Sequence, residues 1–251
     1  YIFFTAIFLL WLSTFLNFRG MRLSVFLSNS GVVVGTIIPG FFLIVCALTY
    51  VWLGKPVQIN LDGGKALIPD LSTARQWMLL AGMMVSLAGM EMSSVHVTSM
   101  KNPRSSFPKS IYLATAIILI LSVLGALSIS LVVPIGDLSK SAGVCQSFEL
   151  MLNALGVGWL TPILACLLAY GALASVVTWM NGPSRGLLEV AKEGYLPQYW
   201  QYRNSYGMQT RIFIMQASLA SFLSLSVRVS DAFWLFLALC SQLYMIMYLL
   251  M

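Results

Sequence analysis

The sequence predicts an all-helical integral membrane protein, and three observations carry that prediction. The 251 residues are 59% hydrophobic and only 9% charged, whereas a soluble domain carries about a quarter charged residues. Mean hydropathy is +0.87, and several apolar runs reach the ~20 residues that cross a ~30 Å hydrocarbon core. The runs lack the alternation of a transmembrane barrel, so each is expected to form a helix that pairs its own backbone groups.

Seven membrane spans are predicted from the apolar runs, taken in chain order. They cover about residues 2–18, 25–53, 76–97, 109–134, 159–181, 212–228 and 232–251. The second run is long enough to tilt, and Pro39, together with Gly35 and Gly40, predicts a kink in it. The chain begins at Tyr1 inside one apolar run and stops inside another, so we expect an internal fragment of a longer polytopic protein.

Two further helices are predicted outside the spans. Residues 144–155 place apolar side chains at helical spacing opposite polar ones, which indicates an amphipathic helix on the membrane surface or over a vestibule. A separate interfacial helix is expected to follow the fifth span. Asn181 or Gly182 would cap it, Pro183 suits its first turn, and Gly194 suits the position after its last turn.

The distribution of Lys and Arg among the loops predicts the orientation, because cytoplasmic loops carry an excess of these residues. Seven alternating spans place nine basic residues on one side and five on the other, and the larger set is predicted to be cytoplasmic. The larger set is Arg19, Arg22, Lys101, Arg104, Lys109, Arg185, Lys192, Arg203 and Arg211. The smaller set is Lys55, Lys65, Arg75, Lys140 and Arg228.

Composition also argues against several function classes. The four cysteines are scattered, with no C-x-x-C pair or ligand-like cluster, so no metal, redox centre or cofactor is predicted. The net charge of +6 lies in short loops, where it sets topology and does not indicate nucleic-acid binding. A membrane enzyme would need a nucleophile with a base, and a channel would need pore-lining rings; neither pattern is present.

The stretch GMEMSSVH places Glu91 and the only histidine, His96, inside the third apolar run. A charged group at membrane depth costs about 2.5–3.5 kcal/mol on insertion scales unless it faces protein or water. Gly89 and the hydroxyl groups of Ser86 and Ser93 weaken the helix, so we predict a helix break with Glu91 facing a substrate pathway. The alternatives are a structural glutamate bonded to nearby backbone and, for the histidine, an interfacial position outside the site.

Four stretches resemble one family of known transporters. GMEMSSVHVTSMKNPRSSFPKS, residues 89–110, resembles the sixth span and following loop of the amino acid–polyamine–organocation (APC) transporters. GPSRGLLEVAKEGYLP, residues 182–197, resembles the stretch after their eighth span, and ALSISLVVP and SAGVCQSFELML look closest to the glutamate/GABA antiporter branch. The resemblance implies a LeuT-like inverted-repeat fold, of which this chain would hold about spans four to ten of twelve.

The resemblance also implies residue roles and a function. Gly89 and Glu91 match the unwound substrate and gating element, and Trp179 matches a tryptophan that helps occlude substrate, with a membrane-interface tryptophan as the alternative. Ser175 stands where the glutamate/GABA branch can carry an acid. The expected protein is a secondary amino-acid antiporter of a bacterial-type inner membrane, working by alternating access, with an amino acid and membrane lipid as its partners. A truncated relative without transport of its own is the alternative.

Overall fold

The computed structural model of the chain describes residues 2–58, 71–89, 93, 94, 97, 100–134, 142–226 and 232–250. Regular secondary structure in these residues is helical throughout. The helices are α1 (Ile2–Phe18), α2 (Met21–Val32), α3 (Ile38–Trp52), α4 (Ala74–Ser86), α5 (Pro103–Val132), α6 (Gly143–Ala154), α7 (Thr161–Lys192), α8 (Thr210–Ser226) and α9 (Ala232–Leu250), with a π-helical turn at Val33–Ile37 and 3₁₀ turns at Gly158–Leu160 and Gln198–Gln201.

Three helical stretches of the described residues are long and apolar enough, by length and composition, to cross a membrane. They are Met21–Trp52, Pro103–Val132 and Gly158–Lys192, with 32, 30 and 35 residues. Shorter apolar helices occupy Phe3–Phe18, Thr210–Leu225 and Ala238–Leu250. All six overlap apolar runs that the sequence predicts to be spans. The placement of seven spans in a bilayer stays a prediction.

The π-helical turn interrupts the long stretch Met21–Trp52 just before Pro39. This proline is the second residue of α3, and it has no N–H to donate to the carbonyl of Gly35 four residues earlier. A π turn widens the helix locally, which accommodates a ring that would collide with an ordinary preceding turn. The irregularity expected from Pro39 therefore takes the form of a π turn.

The chain divides into two compact units, each assembled from segments that are distant in sequence. The first unit comprises Tyr1–Ser28, Pro69–Lys109 and Val176–Met251, and the second comprises Asn29–Ile68 and Ser110–Ser175. In the first unit α1 packs on α8 and α4 packs on α9. Its core includes buried Met180, Met208, Phe213 and Ala217.

The second unit is organised by α6 and by a close glycine contact. The helix predicted over residues 144–155 is confirmed as α6, whose buried Phe148 and Met151 pack in one core with residues of α3. Gly35 of the π turn meets Gly171 of α7 backbone to backbone, because a Cβ at position 171 would lie 2.6 Å from the Gly35 carbonyl oxygen. Only glycine at both positions permits this approach.

The prediction of a separate interfacial helix after residue 181 is wrong. α7 continues without interruption over Thr161–Lys192, with Pro183 inside it. The Asn181 side chain does not cap a new helix, because its amide donates a hydrogen bond to Asn17 in α1 at 2.7 Å. The predicted end is correct: Gly194 has φ +90°, and its N–H bonds to the Ala191 carbonyl at 3.1 Å.

Candidate functional site

The α4 helix ends at Ser86, well before residue 97, where the third predicted span ends. The Leu87 N–H bonds to the Met84 carbonyl at 3.2 Å, which closes a tight last turn. Gly89 then adopts φ +105°, a left-handed conformation that strains any residue with a Cβ. The chain has therefore left the helical path by Gly89, the glycine that the sequence singled out.

The indole of Trp179 lies against this departure point, within the first unit. A Cβ at position 89 would come within 2.8 Å of Trp179 Cη2 and 3.1 Å of Cζ2. The ring thus fills the space that any larger residue at position 89 would need. Trp179 is 46% exposed, so the indole that approaches Gly89 is only partly buried. Two predicted site residues, 90 positions apart in sequence, are brought together.

Asn17 holds α7 on both sides of Trp179. Its Nδ2 donates to the Val177 carbonyl at 3.2 Å, and its Oδ1 accepts from Asn181 Nδ2 at 2.7 Å. The Ser24 hydroxyl of α2 donates to the same Oδ1 at 2.8 Å. We call these three side chains, with the Val177 carbonyl, the asparagine clasp. It joins α1, α2 and the turn of α7 that carries the indole.

The asparagine clasp is buried, and the sequence analysis missed it. Asn17, Ser24 and Asn181 are 0%, 2% and 8% exposed, and among the described residues no donor reaches Asn181 Oδ1. Asn17 sits in the last turn of an apolar run, and Asn181 stands before Gly-Pro, where an asparagine usually caps a helix. The two asparagines are 164 positions apart. The only local sign of their pairing is that each amide lies among apolar residues in the sequence.

Further hydroxyl and amide groups extend this polar region within the first unit. Ser184 Oγ donates to the Asn181 carbonyl at 3.0 Å and accepts from Gln209 Nε2 at 2.8 Å. Ser28 and Thr178 share a hydrogen bond of 2.7 Å between their hydroxyl oxygens. The turn that holds Trp179 is therefore positioned by polar contacts to α2 and to the start of α8, as well as to α1.

The other predicted site residues are placed differently or lie outside the description. Ser93 is described and exposed. Ser86 is the last residue of α4, and its side chain is not among the described ones. Glu91 and His96 lie outside the described residues. Within the described ranges, no three His, Cys, Asp or Glu side chains gather into a group that could hold a metal ion.

Ser175 belongs to the second unit, where it lines a cavity of about 550 Å³. This volume is in the range of small-molecule pockets. Hydroxyl groups come from Thr36, Ser122 and Ser175, and Gly35 and Gly171 form part of the wall. No described residue of the lining is charged, so the cavity supplies no counter-ion for a carboxylate or an amine.

The chain matches known transporters along its whole length. The family model described as "Amino acid permease" matches residues 1–251. An uncharacterized transporter of Legionella pneumophila is 33% identical over 251 residues, covering 98% of this chain and 54% of that protein. The glutamate/gamma-aminobutyrate antiporter of Lactococcus lactis is 30% identical over 208 residues, with coverages of 82% and 41%. A probable agmatine/putrescine antiporter of the same species is 27% identical over 167 residues, with coverages of 65% and 36%.

The chain spans about half the length of the curated relatives it matches, 54% of the first and 41% of the second. The family model nevertheless covers every residue of this chain. The helices fit a multi-pass membrane protein, because three of them reach membrane-spanning length by composition and size. The predicted APC relationship is confirmed, and the chain belongs to the amino acid permease family.

Proposed function

We propose that the protein carrying this chain is a secondary amino-acid antiporter. The observation that carries the proposal is the close approach of Trp179 to Gly89, where a half-exposed indole lies against the non-helical backbone that follows α4 of a membrane protein. Interrupted helices expose backbone N–H and C=O groups, which transporters use to bind charged substrate groups. The family match and the relatives named as antiporters support the same function.

In this mechanism the backbone after α4 binds the substrate and Trp179 closes over it. Substrate enters while one side is open, the indole covers it, and the helices then move so that the opposite side opens. Glu91 follows Gly89 by two residues, and we propose that its carboxylate gates the pathway. The asparagine clasp fixes the position of the α7 turn that carries Trp179 relative to α1. The indole therefore returns to the same part of the backbone in each transport cycle.

The proposed substrates are amino acids or closely related amines. The relatives are named for glutamate and gamma-aminobutyrate and for agmatine and putrescine, which are small molecules with an amine, a carboxylate or both. Ser175 stands where the resemblance to the glutamate/GABA branch implies an acid, and none of the described residues that line its cavity is charged. We therefore propose zwitterionic amino acids as the substrate class, since such molecules carry their own compensating charges.

Exchange in proteoliposomes tests the proposal. The purified chain is reconstituted in vesicles preloaded with unlabelled glutamate, with gamma-aminobutyrate, with a neutral amino acid or with buffer, and uptake of each labelled amino acid is followed. An antiporter takes up label only when the interior holds a counter-substrate. If no pair exchanges, while the lactococcal glutamate/gamma-aminobutyrate antiporter does so in parallel vesicles, the chain has no transport of its own. The same failure by the whole protein that carries the chain would overturn the proposal.

A further inference from the structure

The segment between α7 and α8, residues 193–209, has a conformation fixed by its own side chains. Gln201 Nε2 donates to the Ala191 carbonyl at 2.8 Å, and Asn204 Nδ2 donates to the Phe18 carbonyl at 2.8 Å. Asn204 Oδ1 also accepts two backbone N–H groups of the same segment, at 2.9 and 3.0 Å. These contacts hold the backbone of the segment against α7 and α1. The positions from which its exposed side chains project are therefore fixed as well.

Four tyrosines of this fixed segment are exposed to an unusual degree. Tyr195, Tyr199, Tyr202 and Tyr206 are 78%, 58%, 49% and 67% exposed. The Arg211 guanidinium lies over the rings of Tyr199 and Tyr202, at 4.1 and 4.4 Å from their centroids, and donates to the Tyr199 carbonyl at 2.9 Å. An aromatic ring with a polar tip is most stable where one end is apolar and the other is wet, as at a membrane surface.

Positive charge accompanies these tyrosines. Arg185 lies in the last two turns of α7, and Arg203 is an exposed residue of the segment that follows it. Glu189 of α7 is paired with Lys192 at 2.6 Å. Residues 185–211 hold four basic and two acidic side chains, a net charge of +2. This excess of positive charge favours an anionic partner.

We propose that this region binds the headgroups of anionic phospholipids in the cytoplasmic leaflet. Guanidinium groups bind phosphate through paired hydrogen bonds, tyrosines favour the headgroup layer, and basic residues are drawn to an anionic leaflet. The charge census predicts this side of the chain to be cytoplasmic. We call the region the tyrosine–arginine surface, and it consists of Arg185, Tyr195, Tyr199, Tyr202, Arg203 and Tyr206.

Quenching of Trp200 fluorescence by brominated lipid measures the lipids beside this surface. Trp200 packs edge-on against Tyr199, with ring centroids 5.3 Å apart. The chain is placed in nanodiscs that contain phosphatidylglycerol or phosphatidylcholine, brominated near the headgroup, at equal mole fractions in the same background lipid. The difference between the native chain and Trp200→Phe isolates the Trp200 signal. We expect brominated phosphatidylglycerol to quench it about twofold more strongly than brominated phosphatidylcholine.

Charge-removing variants test whether the arginines cause this preference. Arg203→Gln, at an exposed position, should lower the quenching ratio, and Arg185→Gln/Arg203→Gln should bring it close to one. Lys55→Gln removes one exposed charge from the side predicted to be external and should leave the ratio unchanged. Raising ionic strength should also lower the ratio, since it screens exposed charges. A ratio of one in the native chain, or one that the double variant does not change, would overturn lipid binding and leave a protein partner as the occupant of this surface.

Discussion

Gly89 lies in the non-helical backbone that follows α4, and both its backbone conformation and its surroundings require a glycine. Its φ of +105° excludes other residues without strain, and its missing side chain leaves room for the Trp179 ring. We expect Gly89→Ala to lower exchange at least about tenfold, because ~1–2 kcal/mol of left-handed backbone strain adds to a collision with the indole. Uptake by reconstituted vesicles at matched protein density measures the effect.

Two variants separate the backbone strain from the collision. Gly89→Ala/Trp179→Phe removes the Cη2 and Cζ2 atoms that a Cβ at position 89 would meet and should recover part of the lost exchange. Gly186→Ala is the control, because a Cβ there meets no atom within 4 Å and the residue lies inside α7. Exchange by Gly89→Ala at the native rate would contradict the role given to this glycine.

Trp179 is the second residue with a specific expected phenotype. Its indole is half exposed, so Trp179→Ala should cost little stability yet remove the cover over the interrupted backbone. We expect exchange to fall about tenfold or more, since an open site loses the substrate orientation that closure provides. Trp179→Phe should retain an intermediate rate.

Trp159→Ala is the control, at a tryptophan that is 68% exposed on the 3₁₀ turn before α7, and it should exchange normally. Equal losses of exchange in Trp179→Ala and Trp159→Ala would assign the effect to membrane anchoring.

Among the elements, α7 depends most on contacts that are distant in sequence. Asn17→Ala leaves the Val177 carbonyl, the Asn181 amide and the Ser24 hydroxyl without their shared partner. A buried group left unpaired costs about 1–3 kcal/mol, and the Ser24 hydroxyl keeps a bond of 3.4 Å to the Gly20 carbonyl. We expect Asn17→Ala to lower the unfolding temperature most, since it removes all three bonds of the clasp. Asn181→Ala and Ser24→Ala should have smaller effects, since each removes one bond.

Thermal unfolding in detergent, followed by loss of monodisperse protein, gives this ranking. Ser130→Ala is the matched control, because the exposed Ser130 hydroxyl bonds within α5, to the Ala126 carbonyl at 2.8 Å. It should unfold close to the native temperature. An Asn17→Ala variant as stable as Ser130→Ala would show that the asparagine clasp adds nothing to the packing of α7 on α1.

The elements also mark the boundary of what the sequence can predict. Apolar runs predicted the positions of most of the long helices, because apolar surface and helix length are local properties of the chain. The end of α7 just before Gly194 and the amphipathic helix α6 were also predicted, because a glycine after a helix and an apolar face are local patterns too. The break expected after residue 181 failed because Asn181 bonds to Asn17, and no local rule distinguishes an asparagine that caps a helix from one that binds a distant helix.

At the scale of the whole molecule, the two units could not be inferred from the sequence. The first unit collects segments separated by 40 and 66 residues, and the second collects segments separated by 41. Close glycine contacts and small polar groups join these segments in addition to the apolar cores. Gly35 and Gly171 illustrate this, because their backbones can approach each other only where neither residue has a side chain. The meeting of Gly89 with Trp179 was likewise not predicted: the resemblance to a family gave each residue a role, but neither residue indicates the other in the sequence.

The last prediction concerns the orientation of the whole chain in the membrane. It follows from the nine basic residues predicted on one side of the membrane and the five predicted on the other. We expect Lys55→Cys to react with a membrane-impermeant maleimide in intact cells, whereas Arg203→Cys should react only after the cells are permeabilised. Both positions are exposed, so reactivity reports the side of the membrane rather than burial. The native chain, with exposed Cys166 and Cys240, provides the background labelling to subtract. The reverse pattern would invert the topology, and it would also move the tyrosine–arginine surface to the outer leaflet, away from the anionic lipids it is proposed to bind.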